Sequence, residues 1–323
     1  MSAALHRKWL VIGWMSLLLG VPALAWAAAS PASSVNRSPA LQPAVAQSVA
    51  AMVHDREYGL LALTALSAGY AKSERLAAVG ALSRLADQGN AFAEYVLGSQ
   101  YMWGPRRPHA LLPYDAKLAN EYLANAAIRG NLQAMLALAQ FELSTHHPMR
   151  AMIWAQTLAY YQHRLDPSQK HMHGYLPELI ARAQRSLSSA QKAKVVGDVN
   201  GVLVRYGKRI EAGMHEPSIA FLPDPLCTTR RIEPPAHMPA FPTPNWSGRY
   251  PHAVSLTMLY AVNPAGRIVD HAYINVLPDW RVHSQLDYPL GQMRFNGAPQ
   301  CRRLRAVIQV VQYDDRRYAL DWH

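Results

Sequence analysis

A segment of this chain repeats itself forty-one residues later. Leu82, Ala86, Gly89, Asn90, Ala93 and Leu97 fall on Leu123, Ala127, Gly130, Asn131, Ala134 and Leu138, the same residue types at the same spacing. Self-similarity at such a period marks a repeat architecture, in which one supersecondary unit recurs and stacks on its neighbour. Within each copy an apolar helical face runs up to a Gly-Asn pair, and a second helical face starts directly after it. Gly89 and Gly130 can take the left-handed conformation that ends a helix. Asn90 and Asn131 suit the N-cap of the next helix, where a side-chain oxygen accepts an orphan backbone N–H. Each unit therefore predicts a helix hairpin. The small residues Ala78, Ala86 and Ala93, with Ala119, Ala127 and Ala134, stand where two helices would approach closely. One hairpin alone cannot bury its apolar face, so neighbours must stack.

The residues around these positions resemble the Sel1-like repeat, a short relative of the tetratricopeptide repeat. Ala119, Tyr122, Ala126, Ala127 and Gly130 match the A-x-x-W/Y-x-x-x-A-A-x-x-G core of that family, and Leu97, Gly98, Tyr101 and Gly104 match its L-G-x-x-Y-x-x-G. A degenerate third unit is expected from Arg150, since Ala151 and Trp154 stand thirty-two residues after Ala119 and Tyr122. The resemblance covers roughly residues 75 to 160 and implies a binding surface more than a chemistry. The alternative is an ordinary helical bundle with alanine-rich packing.

The chain starts with a targeting pattern. His6, Arg7 and Lys8 form a basic start, and Trp9 to Trp26 is an apolar run without a charge, broken by Pro22 shortly before Ala25-Trp26-Ala27. These are the n-region, h-region and small-residue cleavage site of a secretory signal peptide over residues 1–27. Cleavage is expected between Ala27 and Ala28, or after Ala29. The rival is a short uncleaved anchor, for which eighteen residues are at the lower limit. Export fits the cysteines: Cys227 and Cys301 are the only two, and an even pair in an exported chain points to a disulfide, the alternative being two buried thiols. Closing that loop would restrict the unfolded chain by about 4 kcal/mol. The net charge is +11, and +9 remains once Arg7 and Lys8 leave with the signal. Only Arg302, Arg303 and Arg305, with Arg316 and Arg317, concentrate it. Export argues against nucleic acid as a partner and points this basic face toward anionic envelope polymers such as peptidoglycan, or acidic protein surfaces.

Residues 28–47, rich in Ala, Ser and Pro, read as a flexible tether. Helical periodicity then runs over 48–214, with breaks at Gly69, Gly89, Gly104 and Gly130, to about Ile210. The insertion Pro105 to Pro113 reads as a loop between the paired helices of one repeat, and Arg164 to Pro177 as a polar interruption. From Pro217 to Pro251 nine prolines fall in one window. Proline removes backbone donors and fixes φ, so 215–247 reads as an extended connector. Beyond it the period becomes two. Val254, Leu256, Met258, Tyr260 and Val262 alternate with Ser255, Thr257 and Leu259, Asn263-Pro264-Ala265-Gly266 supplies a turn, and Ile268 to Val276 follows as a second strand. A short helix is expected around Arg281 to Leu290 and a third strand over Leu304 to Tyr313. The fold class is an α/α solenoid followed by a small α+β domain of order β-β-α-β over 248–323.

That order, with Gly266 and Arg267 in the hairpin, Phe295 and Pro299 in an R-F-x-x-x-P segment, and a last strand from Arg305 to Tyr313, resembles the C-terminal domain of TonB-type energy transducers. The resemblance implies a periplasmic domain that pairs its sheet edge with an extended peptide of an envelope partner such as an outer-membrane receptor. Energy transducers keep an uncleaved anchor carrying a histidine, and the run from Trp9 to Trp26 has none. They also cross the periplasm on a long Pro-rich spacer, where this chain has a helical region. Membrane contact is expected only if the first segment stays uncleaved.

Motifs of chemistry are sparse. His146-His147 and His171-Met172-His173 are the best metal candidates, with no carboxylate or cysteine at ligand spacing. His215-Glu216 begins like a zinc-protease motif, but Pro217 follows and no histidine lies four residues on. Asp314-Asp315 suits a turn after the last strand. No P-loop, dinucleotide fingerprint or nucleophile elbow occurs. The sequence reads as a non-enzymatic periplasmic interaction protein with no cofactor and no metal, whose helical repeats dock one partner while the terminal domain pairs with another.

Overall fold

A computed structural model describes residues 58–165, 171–172, 174–215, 253–284, 295, 305–314 and 320–321. Its described helices are α1 (Tyr58–Leu66), α2 (Lys72–Asp87), α3 (Ala91–Trp103), α4 (Ala116–Ile128), α5 (Leu132–Ser144), α6 (Pro148–Leu165), α7 (Tyr175–Arg185) and α8 (Ser189–His215). None of them is long and apolar enough to cross a membrane. The signal segment with Ala27 and Ala28, the tether, the Pro-rich connector, Cys227, Cys301, Arg302 and Arg303 lie outside the described residues.

The forty-one-residue echo folds as two equivalent hairpins, α2 with α3 and α4 with α5. Each first helix ends in the same way. Gly89 has φ of 84° and Gly130 of 86°. Asn90 N–H donates to Leu85 O at 3.0 Å and Gly89 N–H to Ala86 O at 2.8 Å; Asn131 N–H to Ala126 O and Gly130 N–H to Ala127 O, both at 3.0 Å, repeat the pattern. This pair of bonds satisfies carbonyls that a terminating helix leaves orphaned, and only glycine takes the left-handed position without a side-chain penalty. The next residue immediately starts a new helix. Asn90 Oδ1 accepts from Ala93 N–H, and Asn131 Oδ1 from Ala134 N–H, each at 2.9 Å. The equivalent apolar positions Leu82 and Leu123, Ala93 and Ala134, Leu97 and Leu138 are all buried. Arg150, from which a third unit was expected, lies in α6, where Ala151 and Trp154 are buried.

The Pro105–Pro113 segment joins α3 to α4 as the expected loop between paired helices: Tyr101 of α3 stacks on Tyr122 of α4 with ring centroids 6.0 Å apart, and a Cβ on Gly98 would lie 2.8 Å from Leu123 Cγ. The last helix runs past Ile210 to His215. Its C-terminal part crosses the second Gly-Asn turn so closely that a Cβ on Gly130 would lie 2.5 Å from both Ile210 O and Met214 N.

The strands form a three-stranded antiparallel sheet of order β3-β2-β4, with β2 (Ala253–Val262) central between β3 (Ile268–Leu277) and β4 (Arg305–Asp314). The β2–β3 turn is the one expected: Asn263 Oδ1 accepts from Ala265 N–H and Arg267 N–H at 3.0 Å, and Gly266 has φ of 77°. After β3 the chain makes a 3-10 turn, Trp280–Val282, in the region where a helix from Arg281 was expected. The rest of that stretch lies outside the described residues. A two-residue ladder pairs β1 (His171–Met172) with β5 (Leu320–Asp321).

Although its sequence alternates, β2 is buried along all ten residues. Helices cover the face that carries Ser255 and Thr257, and Tyr260 on the opposite face packs against Phe295 at 5.5 Å between ring centroids. The apolar core is one cluster running through helices and sheet alike. The boundary that prolines mark in the sequence therefore has no counterpart in the packing of the described residues.

The two Gly-Asn turns can be told apart by substitution. Gly89→Ala should lower stability by roughly 1 kcal/mol through the left-handed backbone, because its new Cβ meets the end of the Arg129 side chain and not backbone. Gly130→Ala should cost clearly more, since the backbone of α8 must move. Asn90→Ala and Asn131→Ala should each cost about 1 kcal/mol. Urea denaturation midpoints measure all four, and equal losses for the two glycines would contradict the close crossing of α8.

Candidate functional site

The helical layer and the sheet meet along α3. Tyr95, Ser99 and Trp103 recur at the four-residue spacing that puts them on one helical face. All three reach the sheet. Tyr95 Oη donates to Thr257 Oγ1 at 2.9 Å, Trp103 Nε1 donates to Asn275 Oδ1 at 2.7 Å, and Asn275 Nδ2 donates to Ser99 Oγ at 3.2 Å. Thr257 and Asn275 are cross-strand neighbours of β2 and β3, so their side chains share the face that α3 covers. Burial of this seam pushes the Tyr95 phenol above its ordinary range, which keeps it a neutral donor. Further along, Ser67 Oγ donates to Asp270 Oδ1 at 2.9 Å, Ala253 N–H to Glu178 Oε2 at 2.8 Å, and Gln312 Nε2 to Ser255 Oγ at 2.7 Å. Polar groups inside a dry interface are costly unless paired, and here they are paired with each other.

At one end of the seam the pairing stops. The loop after α3 folds back through a 3-10 turn, Gly104–Arg106, and carries Arg107 inside, 5% exposed. Its guanidinium lies over the Trp280 ring, 5.0 Å from the centroid. Trp280 is 4% exposed and also meets Trp103 and Tyr273 edge-on. Arg75 comes from the first turns of α2. Its Nη2 donates to His109 O at 2.6 Å and its Nε reaches Ala65 O at 3.4 Å. Burial, and then the like charge of Arg75, push the Arg107 guanidinium down to about 9, so it keeps its proton at neutral pH. Burial lowers Arg75 as well.

Two other charged groups lie under the repeats. Glu94, 2% exposed, faces Arg129, whose Nε donates to Oε1 at 3.3 Å. Burial outweighs that arginine and raises the Glu94 carboxyl to about 7. Glu142 accepts from Asn120 Nδ2 at 2.6 Å and pairs with Arg150 and, at 3.2 Å, with His147 Nδ1. Burial nonetheless raises its carboxyl above the ordinary range.

The residues singled out in the sequence fall elsewhere. Arg305 starts β4, while Arg302, Arg303, Cys227 and Cys301 are outside the described residues, so their pairing and their basic face have no geometry here. His147 belongs to the Glu142 cluster, and His171 sits in β1 without a described side chain. Among the described residues no group of three histidines, cysteines or carboxylates is disposed to hold a metal ion. Arg75, Arg107 and Trp280 give no signal in the sequence, being single residues on three elements. Thr257 and Asn275 do give one, as polar residues inside apolar strands.

Tyr95→Phe should destabilise the protein by about 1 kcal/mol, whereas adding Thr257→Val should recover only part of that loss, because the Thr257 hydroxyl is then gone while Ser99 and Asn275 still face the missing phenol hydroxyl. A double-mutant cycle in urea measures this. The Glu94 carboxyl titrates higher in the folded chain, near 7, than its ordinary 4.5. A raised folded value stabilises at low pH and is lost as pH rises through it, so stability should fall between about pH 4.5 and 7, by roughly 1 kcal/mol per unit at the steepest. Glu94→Gln should flatten that slope; an unchanged slope would assign it to another group.

Comparison with protein-family models, with curated proteins and with solved structures gives no match for this chain.

Proposed function

We propose that this chain is an exported adaptor of the Gram-negative envelope, acting by protein–protein recognition, whose terminal sheet takes up an extended segment of a partner along β4. The observation that carries this reading is the register of β4 on β2, which runs without irregularity from Ala253↔Asp314 to Val262↔Arg305. Strand addition needs a straight margin whose backbone groups recur evenly. The opposite margin is built otherwise. β3 meets β2 with register shifts at Thr257/Met258 and at Ala261/Val262. Such bulges bend a strand away from further pairing.

The helical layer supports the same reading by fixing the sheet. Gln312 of β4 bonds Ser255 Oγ and accepts from Tyr175 N–H at 3.2 Å, which ties β4 to the start of α7. A rigid template loses less entropy when a flexible segment docks on it. The likenesses to Sel1-like repeats and to the terminal domain of TonB-type transducers agree with a recognition role, with the repeats serving first as a platform for the chain's own sheet. Energy transduction and binding of an anionic polymer through the terminal arginines are the competing readings.

Hydrogen exchange on the complex with a captured envelope partner tests this. Protection should be gained by the β4 amides and not by those of β3, and the complex should survive about 1 M salt, which screens ionic contacts within roughly 3 Å. Protection confined to α8, or dissociation in salt, would overturn strand addition in favour of a helix surface or a polymer. In a Gram-negative host the chain should be recovered from the periplasm with a mass lacking the signal; an intact N-terminus in the inner membrane would favour the anchored alternative.

A further inference from the structure

The end of the α3–sheet seam holds an excess of buried positive charge that nothing in the described structure balances. Arg75 is 8% exposed and Arg107 is 5% exposed. The acidic residues adjacent in sequence to Arg75 and Trp280 are engaged elsewhere, and Asp115, nearest to Arg107, caps α4 through Lys117 N–H and Leu118 N–H. Glu74 accepts the Ala71 N–H at 2.9 Å, closing the start of α2. Asp279, adjacent to Trp280, is held by Arg281 Nε at 3.0 and 3.1 Å. Arg75 uses its donors on the carbonyls of Ala65 and His109, so it neutralises no charge. Arg107 Nη1 and Trp280 Nε1 are both buried and make no hydrogen bond.

Each of these facts costs stability. A buried donor without an acceptor forfeits the hydrogen bonds it had with water, and the loss is larger when it is charged. A pair of guanidiniums in low dielectric also repel each other. Stacking on Trp280 offsets part of this, since an indole face attracts a desolvated cation. It leaves Arg107 Nη1 and the Trp280 indole N–H unused. Guanidinium donors in a fork suit a ligand with two acceptor oxygens, and an indole N–H adds a third direction.

We propose that Arg107, Trp280 and Arg75 form a binding site for an oxyanion, a carboxylate or phosphate group bearing at least two acceptor oxygens, between the α3–α4 loop and the end of β3. Arg107 Nη1 and the Trp280 Nε1–H donate to it, and Arg75 adds positive charge nearby. The His109 carbonyl holds Arg75 in place, with His109 itself at φ of 57°. This site is separate from the β4 margin, so it stands whether or not strand addition does.

The test uses the purified mature chain, with sodium phosphate and sodium acetate titrated at constant ionic strength against sodium chloride. Thermal unfolding should shift up by about 2–3 °C at a tenfold excess over the dissociation constant of the oxyanion that fits, with no shift in chloride. The arm that responds distinguishes phosphate from carboxylate. Trp280→Phe keeps the ring beneath Arg107 and removes only the N–H; it should weaken binding by about threefold to tenfold. Arg107→Met should weaken it tenfold or more, with folding verified by far-ultraviolet circular dichroism. Should Arg107→Met fail to fold, Trp280→Phe and Arg107→Lys decide the matter. Equal stabilisation by chloride, no response to either oxyanion, or wild-type affinity in folded Trp280→Phe and Arg107→Lys would each overturn the site.

Discussion

Thr257 and Asn275 sit in the middle of a sheet face that no water reaches, and the rest of the molecule is arranged to answer them. A hydroxyl and a primary amide at those places would be a liability in a purely apolar interface. The α3 helix meets them with a phenol, a hydroxyl and an indole at successive turns. Because hydrogen bonds are directional, they fix the rotation and the height of α3 against the sheet, which apolar contact alone would leave loose. Through the Gly-Asn turns the orientation of α3 sets that of α2, and through the stacked hairpins that of α4 and α5. The repeats thus act as a rigid layer with one predetermined companion, the chain's own sheet.

Electrostatics inside that layer follow two patterns. Glu94 and Glu142 are buried with cations beside them, and burial still raises both carboxyls. Partnered groups of this kind contribute specificity of packing more than net stability. Arg75 and Arg107 follow the second pattern, charge without counter-charge. The contrast lies within one fold and one set of packing rules, so the arginines are not explained by a general tolerance for buried ions.

Much of this fold was legible in the sequence because the relevant physics is local. A glycine that must be left-handed and an asparagine that must cap leave their marks at neighbouring positions, and so does the Asn263–Gly266 turn. The strand limits were legible for the same reason. The covering of β2 was not, because alternation in a strand reports only that its two faces differ and not what meets the second one. Nor was the arginine–tryptophan site, whose three members come from α2, from a loop and from beyond β3. Nothing in the spacing of Arg75, Arg107 and Trp280 links them until the sheet has docked.

The seam also sets an order of events. Tyr95 and Trp103 bond partners 162 and 172 residues further along the chain, and the last described residues, Leu320–Asp321, pair with His171–Met172. The hairpins can form early from neighbouring contacts, but their inner face stays wet until β2 and β3 dock on it. Contacts of such long range close late and slowly. At these contacts the helices therefore precede their companion sheet by at least 162 residues of chain, and they become one body with it only once β2 and β3 have docked on α3.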